Sequence, residues 1–169
     1  MKKIILITGG QRSGKSSYAE QKALALTDSP VYLATARIWD DEFKERVLHH
    51  QARRGLQWTN IEEEKKLSNH SLTGRVVVVD CVTLWAINFF FDLQSDVQQS
   101  LHEVKAEFDR FVDQDAVFLF VTNEIGLCGT SENALQRKFT DLQGWINQYI
   151  ASKADEVILM VSGIPVKIK

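Results

Sequence analysis

The chain is poor in the residues that mark a stapled, fibrous or membrane-embedded protein. Among 169 residues there are only two cysteines and two prolines. Cys81 and Cys128 stand far apart, with no Cys-x-x-Cys or Cys/His ligand spacing, so neither a disulfide framework nor a zinc site has support. Both are read as reduced and structural. No apolar run approaches the ~18 residues that cross a bilayer. Met1-Lys2-Lys3 passes directly into an apolar segment without a small-residue cleavage site, so the chain is expected to be cytoplasmic. Neither sign of charge dominates: the formal net charge is −2 and acidic and basic residues are interspersed, which excludes a broad basic surface for nucleic acid or an anionic membrane. Repeats, Pro/Gly/Ser-rich linkers and low-complexity tracts are absent. With this length, one domain over residues 1–169 is the simplest parse.

What the chain does have is a glycine-rich octapeptide. Gly9-Gly10-Gln11-Arg12-Ser13-Gly14-Lys15-Ser16 satisfies every fixed position of G-x-x-x-x-G-K-[ST], directly after the apolar run Ile4-Ile5-Leu6-Ile7. Such a turn lets successive backbone N–H groups converge on phosphate oxygens. Lys15 adds a positive charge and the Ser16 hydroxyl can ligate magnesium. A helical segment follows, in which Ala19, Ala23 and Leu26 share a face, so the motif sits between strand and helix as its mechanism requires. Nucleoside triphosphate binding is the expectation.

Short apolar runs at Ile4–Thr8, Val31–Thr35, Val76–Asp80, Val117–Thr122 and Val157–Val161 are separated by helical or polar sequence. Continuous rather than alternating hydrophobicity marks strands covered on both faces. Strands alternating with helices predict an α/β, doubly wound, mainly parallel sheet with helices on both faces. Between Asp96 and Val112, residues Val97, Leu101, Val104, Phe108 and Phe111 fall at helical spacing and predict a helix with one buried stripe.

Ligands of open α/β sheets bind beyond the carboxyl ends of the strands. Asp80, after four valines, has the form of an acidic residue that holds magnesium beside a phosphate loop, or else caps the turn that follows. Thr35 and the triplet Thr122-Asn123-Glu124 also end strands with hydrogen-bonding groups, as pocket lining or as caps. In the segment Asp40 to Arg54, a helical reading places His50 near Phe43 on the apolar side. His49 then lies within about 60° of Arg46 and Arg53. An imidazole among guanidiniums is easier to keep neutral and nucleophilic. The competing reading is a solvated face with Glu42–Arg46 and Glu45–His49 pairs. Trp85, Phe89, Phe90 and Phe91 serve either as core or as a subunit contact, and His70 and His102 read as surface residues.

The ordered set of motifs resembles the bifunctional adenosylcobinamide kinase/adenosylcobinamide-phosphate guanylyltransferase family of cobalamin biosynthesis. Its carriers are Thr8 to Ser16, Tyr32-Leu33-Ala34-Thr35-Ala36, Asp40-Asp41-Glu42, Arg46 to His50, Trp58 to Glu62, Asp80 to Trp85, Thr122 to Gly126, Ala154 to Val157 and Val161 to Lys167. The resemblance implies phosphorylation of the aminopropanol hydroxyl of adenosylcobinamide. Transfer of GMP from GTP to the resulting phosphate follows, through a guanylylated histidine that maps onto His49. It further implies GTP, ATP and Mg²⁺ as cofactors and Lys15 as a catalytic residue. Nucleotide contacts are implied at Gly9, Gly10, Gln11, Arg12, Ser13, Gly14, Lys15, Ser16, Thr35, Ala36, Arg37, His50, Gln51, Ala52, Arg53, Glu62 and Asp80, with Ser16 and Asp80 as metal ligands. The partners implied are adenosylcobinamide and its phosphate, with no nucleic acid and no membrane span, in a homo-oligomer whose expected form is a trimer. One departure stands out: where the resemblance implies Asn-Glu-Val-Gly-x-Gly and a nearby proline, the chain has Asn123-Glu124-Ile125-Gly126-Leu127-Cys128-Gly129-Thr130-Ser131. Two rival readings share the phosphate loop: a kinase of another small metabolite, which has no use for a cationic His49 face, and a nucleotide switch, which has no small-molecule acceptor.

Overall fold

The computed structural model describes residues 2–38 and 54–169. Seven strands form one sheet in the order β3-β2-β4-β5-β1-β6-β7. They are β1 (Lys3–Gly9), β2 (Val31–Ala34), β3 (Thr59–Glu62), β4 (Val76–Asp80), β5 (Val117–Val121), β6 (Glu156–Val161) and β7 (Ile164–Lys167). The first six run parallel, and β7 returns antiparallel to β6. The α-helices of the described residues are α1 (Lys15–Leu24), α2 (Val82–Asp92), α3 (Val97–Phe111) and α4 (Ala134–Lys153).

The valine- and isoleucine-rich strands lack a polar face because both sides of the sheet are covered. Along β1, Ile4 and Leu6 pack with Val77, Val79, Phe118 and Phe120 against α2, α3 and α4. Ile5 and Ile7 point the other way, into a smaller cluster with Ala19 and Ala23 of α1, Val78, Leu119 and Val121. Phe108 and Phe111 of α3 meet Phe118 and Phe120 in the larger layer, where aromatic edges contribute beyond area burial. The stripe foreseen on α3 is the one it buries, with Val104, Phe108 and Phe111 fully covered, and Asp96 caps its start by accepting from the Gln99 N–H at 2.9 Å. Trp85, Phe89 and Phe90 are core, whereas Phe91 is half exposed.

The sheet has two strands beyond the five apolar runs. Both are edges: β3 reads Thr-Asn-Ile-Glu and β7 reads Ile-Pro-Val-Lys, so neither is covered on two faces and neither needs a continuous apolar sequence. Thr35 and Thr122 fall just past the ends of their strands. Leu26 lies beyond the end of α1 and is 52% exposed, so the face of that helix ends at Ala23. Cys81 is buried and Cys128 exposed, so only the first has a structural place. His70 is not a plain surface residue, since its imidazole lies 3.7 Å from Glu63.

Strand order decides the site. β5 sits between β1 and β4, so the loop after β1 and the carboxylate ending β4 are separated by one strand, whose own end carries Thr122, Asn123 and Glu124.

Candidate nucleotide and phosphoryl-transfer site

The loop from Gly9 to Gly14 joins β1 to α1, and its shape depends on two glycines. Gly9 has φ 154°, and a Cβ there would stand 2.6 Å from the Met160 carbonyl oxygen of β6 and 2.7 Å from the Ser13 hydroxyl. Gly14 begins α1 in the left-handed region at φ 93°, facing the Cα of Gly163. It offers no side-chain cap, so the first N–H groups of the helix stay available to an anion. The turn between β6 and β7 braces the loop from outside, with the Gly163 N–H donating to the Ser13 carbonyl at 3.0 Å. A Gly9→Ala variant is expected to carry roughly 1–3 kcal/mol of strain into the loop, weakening nucleotide about tenfold or more while the core stays folded; calorimetric nucleotide titration with thermal melting checks both halves.

Lys15 is 7% exposed and folds back over the loop, its ammonium donating to the Gly10 carbonyl at 2.5 Å and lying 3.5 Å from the Ser13 hydroxyl. Burial lowers its pKa below the ordinary lysine value, and the negative charge of Asp80 opposes that shift. The ammonium thus rests between a loop carbonyl and a loop hydroxyl. Ser16, the second residue of α1, is half-buried, and Gly10, Gln11 and Arg12 are exposed at the loop's rim.

Asp80 closes β4 with one oxygen already held. The Tyr32 hydroxyl donates to Oδ2 at 2.8 Å, while Oδ1 accepts no hydrogen bond among the described residues. Tyr32 is 5% exposed; burial and then the Asp80 charge push its phenol well above the usual range, so it remains a donor. Among the described residues no group of three or more His, Cys, Asp or Glu could hold a metal ion. A divalent cation here would rest on one carboxylate, one hydroxyl and nucleotide phosphate oxygens, a donor set that suits magnesium.

The neighbouring strand ends are spent differently from the sequence expectation. Thr35 is fully buried, and its hydroxyl donates to the Cys81 carbonyl at 2.7 Å while accepting from the Cys81 N–H at 3.0 Å, around a cis Asp80–Cys81 peptide. Thr122 turns away from the pocket, its hydroxyl donating to Asn147 Oδ1 at 2.7 Å and accepting from Gln143. Asn123 and Glu124 are half-buried beside the loop, with the Glu124 N–H donating to the Gly9 carbonyl at 2.9 Å. Ala36 is half-buried. The Arg37 guanidinium pairs with Glu64 at 2.6 Å and with both oxygens of Asp92 at 2.8 and 3.0 Å. Glu62 ends β3 in register with Ala34. His49, His50, Gln51, Ala52 and Arg53 lie outside the described residues.

Hydrogen bonds from Arg37 and then Lys65 hold the Asp92 carboxyl well below the usual carboxylate range. A depressed carboxylate stabilises the fold above its unfolded pKa, about 4, and that contribution disappears as acid protonates it. Because the side chain is 31% exposed, the effect is modest. Asp92→Asn is expected to lower the melting temperature by about 2–4 °C at pH 7, with the gap to the parent narrowing as the pH drops below 4.

Sequence reasoning missed three contributors: the Tyr32 hydroxyl, Gly163 behind the loop, and Arg54 as a buried group. Only Gly163 carried a local signal, a Ser-Gly pair between apolar runs.

A strand ending in this loop, a helix opening on Lys15-Ser16, and an acidic strand end one strand removed define a P-loop nucleotide-binding fold. The crystal structure of the flagellar accessory protein FlaH from Methanocaldococcus jannaschii shares that fold, with a TM-score of 0.51 at 14% identity, over 99% of this chain and 78% of that one. The profile of the family described as "Cobinamide kinase / cobinamide phosphate guanyltransferase" matches residues 5–168. The chain belongs to this family. It is 38% identical to the bifunctional adenosylcobalamin biosynthesis protein CobU of Escherichia coli K12, over 98% of this chain and 99% of that protein. It is 35% identical to the corresponding protein CobP of Pseudomonas aeruginosa, with 97% and 96% covered. Identity to the CobU of Salmonella typhimurium LT2 is 36%, with 98% and 99% covered. Among the described residues no helix is long and apolar enough to cross a membrane.

Proposed function

We propose that this chain, acting as a single unit over residues 1–169, performs two transfers to a corrinoid. First it phosphorylates the aminopropanol hydroxyl of adenosylcobinamide: the hydroxyl oxygen bonds to the γ-phosphorus of ATP or GTP, the bond to the bridging oxygen breaks, and a nucleoside diphosphate leaves. Next, a ring nitrogen of His49 attacks the α-phosphorus of GTP and pyrophosphate departs. An oxygen of adenosylcobinamide phosphate then displaces the imidazole, giving adenosylcobinamide-GDP. The loop amides and Lys15 hold the phosphates and meet the charge that builds on them during transfer. Mg²⁺, when bound at Ser16 and Asp80, would supply further neutralisation. The remaining nucleotide contacts are assigned to Thr35, Ala36, Arg37, His50, Gln51, Ala52, Arg53 and Glu62. The buried Thr35 hydroxyl leaves that residue only its backbone to offer.

The observation that carries this reading is the Lys15 cradle in a chain whose family membership extends over residues 5–168. The reading also takes the enzyme to be a cytoplasmic homo-oligomer, a trimer, which sedimentation equilibrium checks. Its direct test supplies adenosylcobinamide with γ-labelled and then α-labelled GTP. Label from each must appear in the corrinoid product, in that order of dependence. A protein that labels some other small acceptor and leaves the corrinoid untouched refutes it.

A further inference from the structure

Behind Asp80 stands a buried arrangement that the two reactions leave without a role. Tyr32 lies on β2, next to β4, and its hydroxyl reaches Asp80 Oδ2 at 2.8 Å. Above the ring of Tyr32, the Arg54 guanidinium stacks at 3.5 Å from the centroid, and the edge of Trp58 closes another side at 6.1 Å. The Arg54 side chain is 2% exposed, and its other groups reach two further elements: Nη1 lies 3.9 Å from Glu20 of α1, and Nε donates to Asn60 Oδ1 of β3 at 2.9 Å. A guanidinium is planar and permanently charged, so it can stack on a ring and hold directional bonds at its edge at once, which an ammonium cannot.

The geometry assigns Tyr32 as the positioning residue of the Asp80 carboxylate, with Arg54 as the clamp that fixes the tyrosine ring. Taking Oδ2 in a hydrogen bond orients the carboxylate and leaves Oδ1 for the cation. Partners behind a metal ligand restrict its rotation in this way, and their loss typically costs about 10–100-fold in metal affinity or activity. The clamp joins the P-loop helix through Glu20, the metal-side strand pair through Tyr32, and the outer strand through Asn60. Arg54 also anchors the chain shortly after His49 in the sequence, so the end of the segment bearing the proposed nucleophile is tied to the residue that orients the proposed metal ligand.

This inference rests on the magnesium role proposed for Asp80 but not on the corrinoid reactions, and its test needs no corrinoid. Tyr32→Phe keeps the ring, the stack and the Trp58 edge and removes only the hydroxyl. Free Mn²⁺ measured by electron paramagnetic resonance during titration with a non-hydrolysable GTP analogue gives the metal affinity of each complex. The expected result is about a tenfold loss or more of Mn²⁺ affinity in Tyr32→Phe, with affinity for the analogue in EDTA within about twofold of the parent. Arg54→Lys, which retains the hydroxyl and a charge for Glu20 but not the stacked plane, is expected to shift Mn²⁺ affinity in the same direction by a smaller factor. Unchanged Mn²⁺ affinity in Tyr32→Phe overturns the assignment, as does an equal loss of metal-free nucleotide binding, which marks a general disturbance. Should Tyr32→Phe fail to fold, unchanged Mn²⁺ affinity in Arg54→Lys overturns it instead. A parent protein that binds Mn²⁺ yet never labels corrinoid refutes the proposed reactions and leaves this assignment standing.

Discussion

His49→Ala is expected to abolish covalent labelling by α-³²P-GTP, lowering the labelled fraction by on the order of 10³-fold or more, because the nitrogen proposed to form the phosphoramidate bond is gone. The adjacent His50→Ala should retain label. The contrast rests on the family resemblance, which maps the guanylylated histidine onto His49; in the helical reading of the sequence both histidines fall within about 60° of Arg46 and Arg53, and only His50 falls beside Phe43 on the apolar side. On the proposed mechanism, those guanidiniums would favour a neutral, nucleophilic imidazole and would hold α-phosphate oxygens during the attack. The proposed γ-phosphoryl transfer uses no imidazole, so His49→Ala should leave the kinase step largely intact. Acid-labile, base-stable label in the parent identifies the bond as phosphoramidate. Label that survives in His49→Ala and vanishes in His50→Ala reverses the assignment.

Lys15→Met is expected to lower kcat for both transfers by about 10²–10³-fold, the magnitude typical of deleting one preorganised charge-stabilising donor. The substitution keeps most of the buried stem volume in a position only 7% exposed, so the loss reports the charge rather than a collapsed loop. The parent should also show an alkaline limit. Since burial lowers the Lys15 pKa, kcat/KM for nucleotide falls with rising pH before an ordinary lysine, at 10.5, would titrate. The same shift has a stability consequence of definite sign: with the folded pKa below the unfolded one, the unfolded chain binds more protons in the window between them, so stability rises with pH across it. Lys15→Arg, charged throughout, should be slower than the parent and lack the alkaline limb. A parent profile that stays flat up to pH 10.5 would remove the buried ammonium from the mechanism.

The parallel α/β sheet was legible because strands buried on both faces leave unbroken apolar runs. β1, β4 and β5 stand within a residue or two of the runs that announce them. Edge strands are not legible in that way. β3 buries little and β7 nothing, so their sequences answer to hydrogen bonding along the sheet rather than to a core. The same distinction runs through the site. Gly9–Ser16 is contiguous, and its spacing alone specifies a turn and a helix start. The partner of Asp80 comes from Tyr32, far away in the chain but one strand over in the sheet, and nothing in the local sequence marks one phenol among three tyrosines as a carboxylate's donor. Thr35 and Thr122 illustrate the opposite error: a polar residue at a strand end looks like pocket lining until its hydroxyl is seen to be consumed by Cys81 or by Asn147 and Gln143.

By itself the sequence determined the phosphate loop, the layering of the sheet and, through the ordered motifs, the family. Each of these depends on short-range spacing or on the burial of consecutive residues, which a linear chain records directly. Only the tertiary structure decided which oxygen of Asp80 is left open, how Gly163 and Met160 brace the loop, and that Arg54 is a buried clamp joining α1, β2 and β3. Those are contacts between residues remote in sequence. They exist because the strand order sets β2 beside β4 and β6 beside β1, an order that pairing and crossover geometry impose on the whole chain at once.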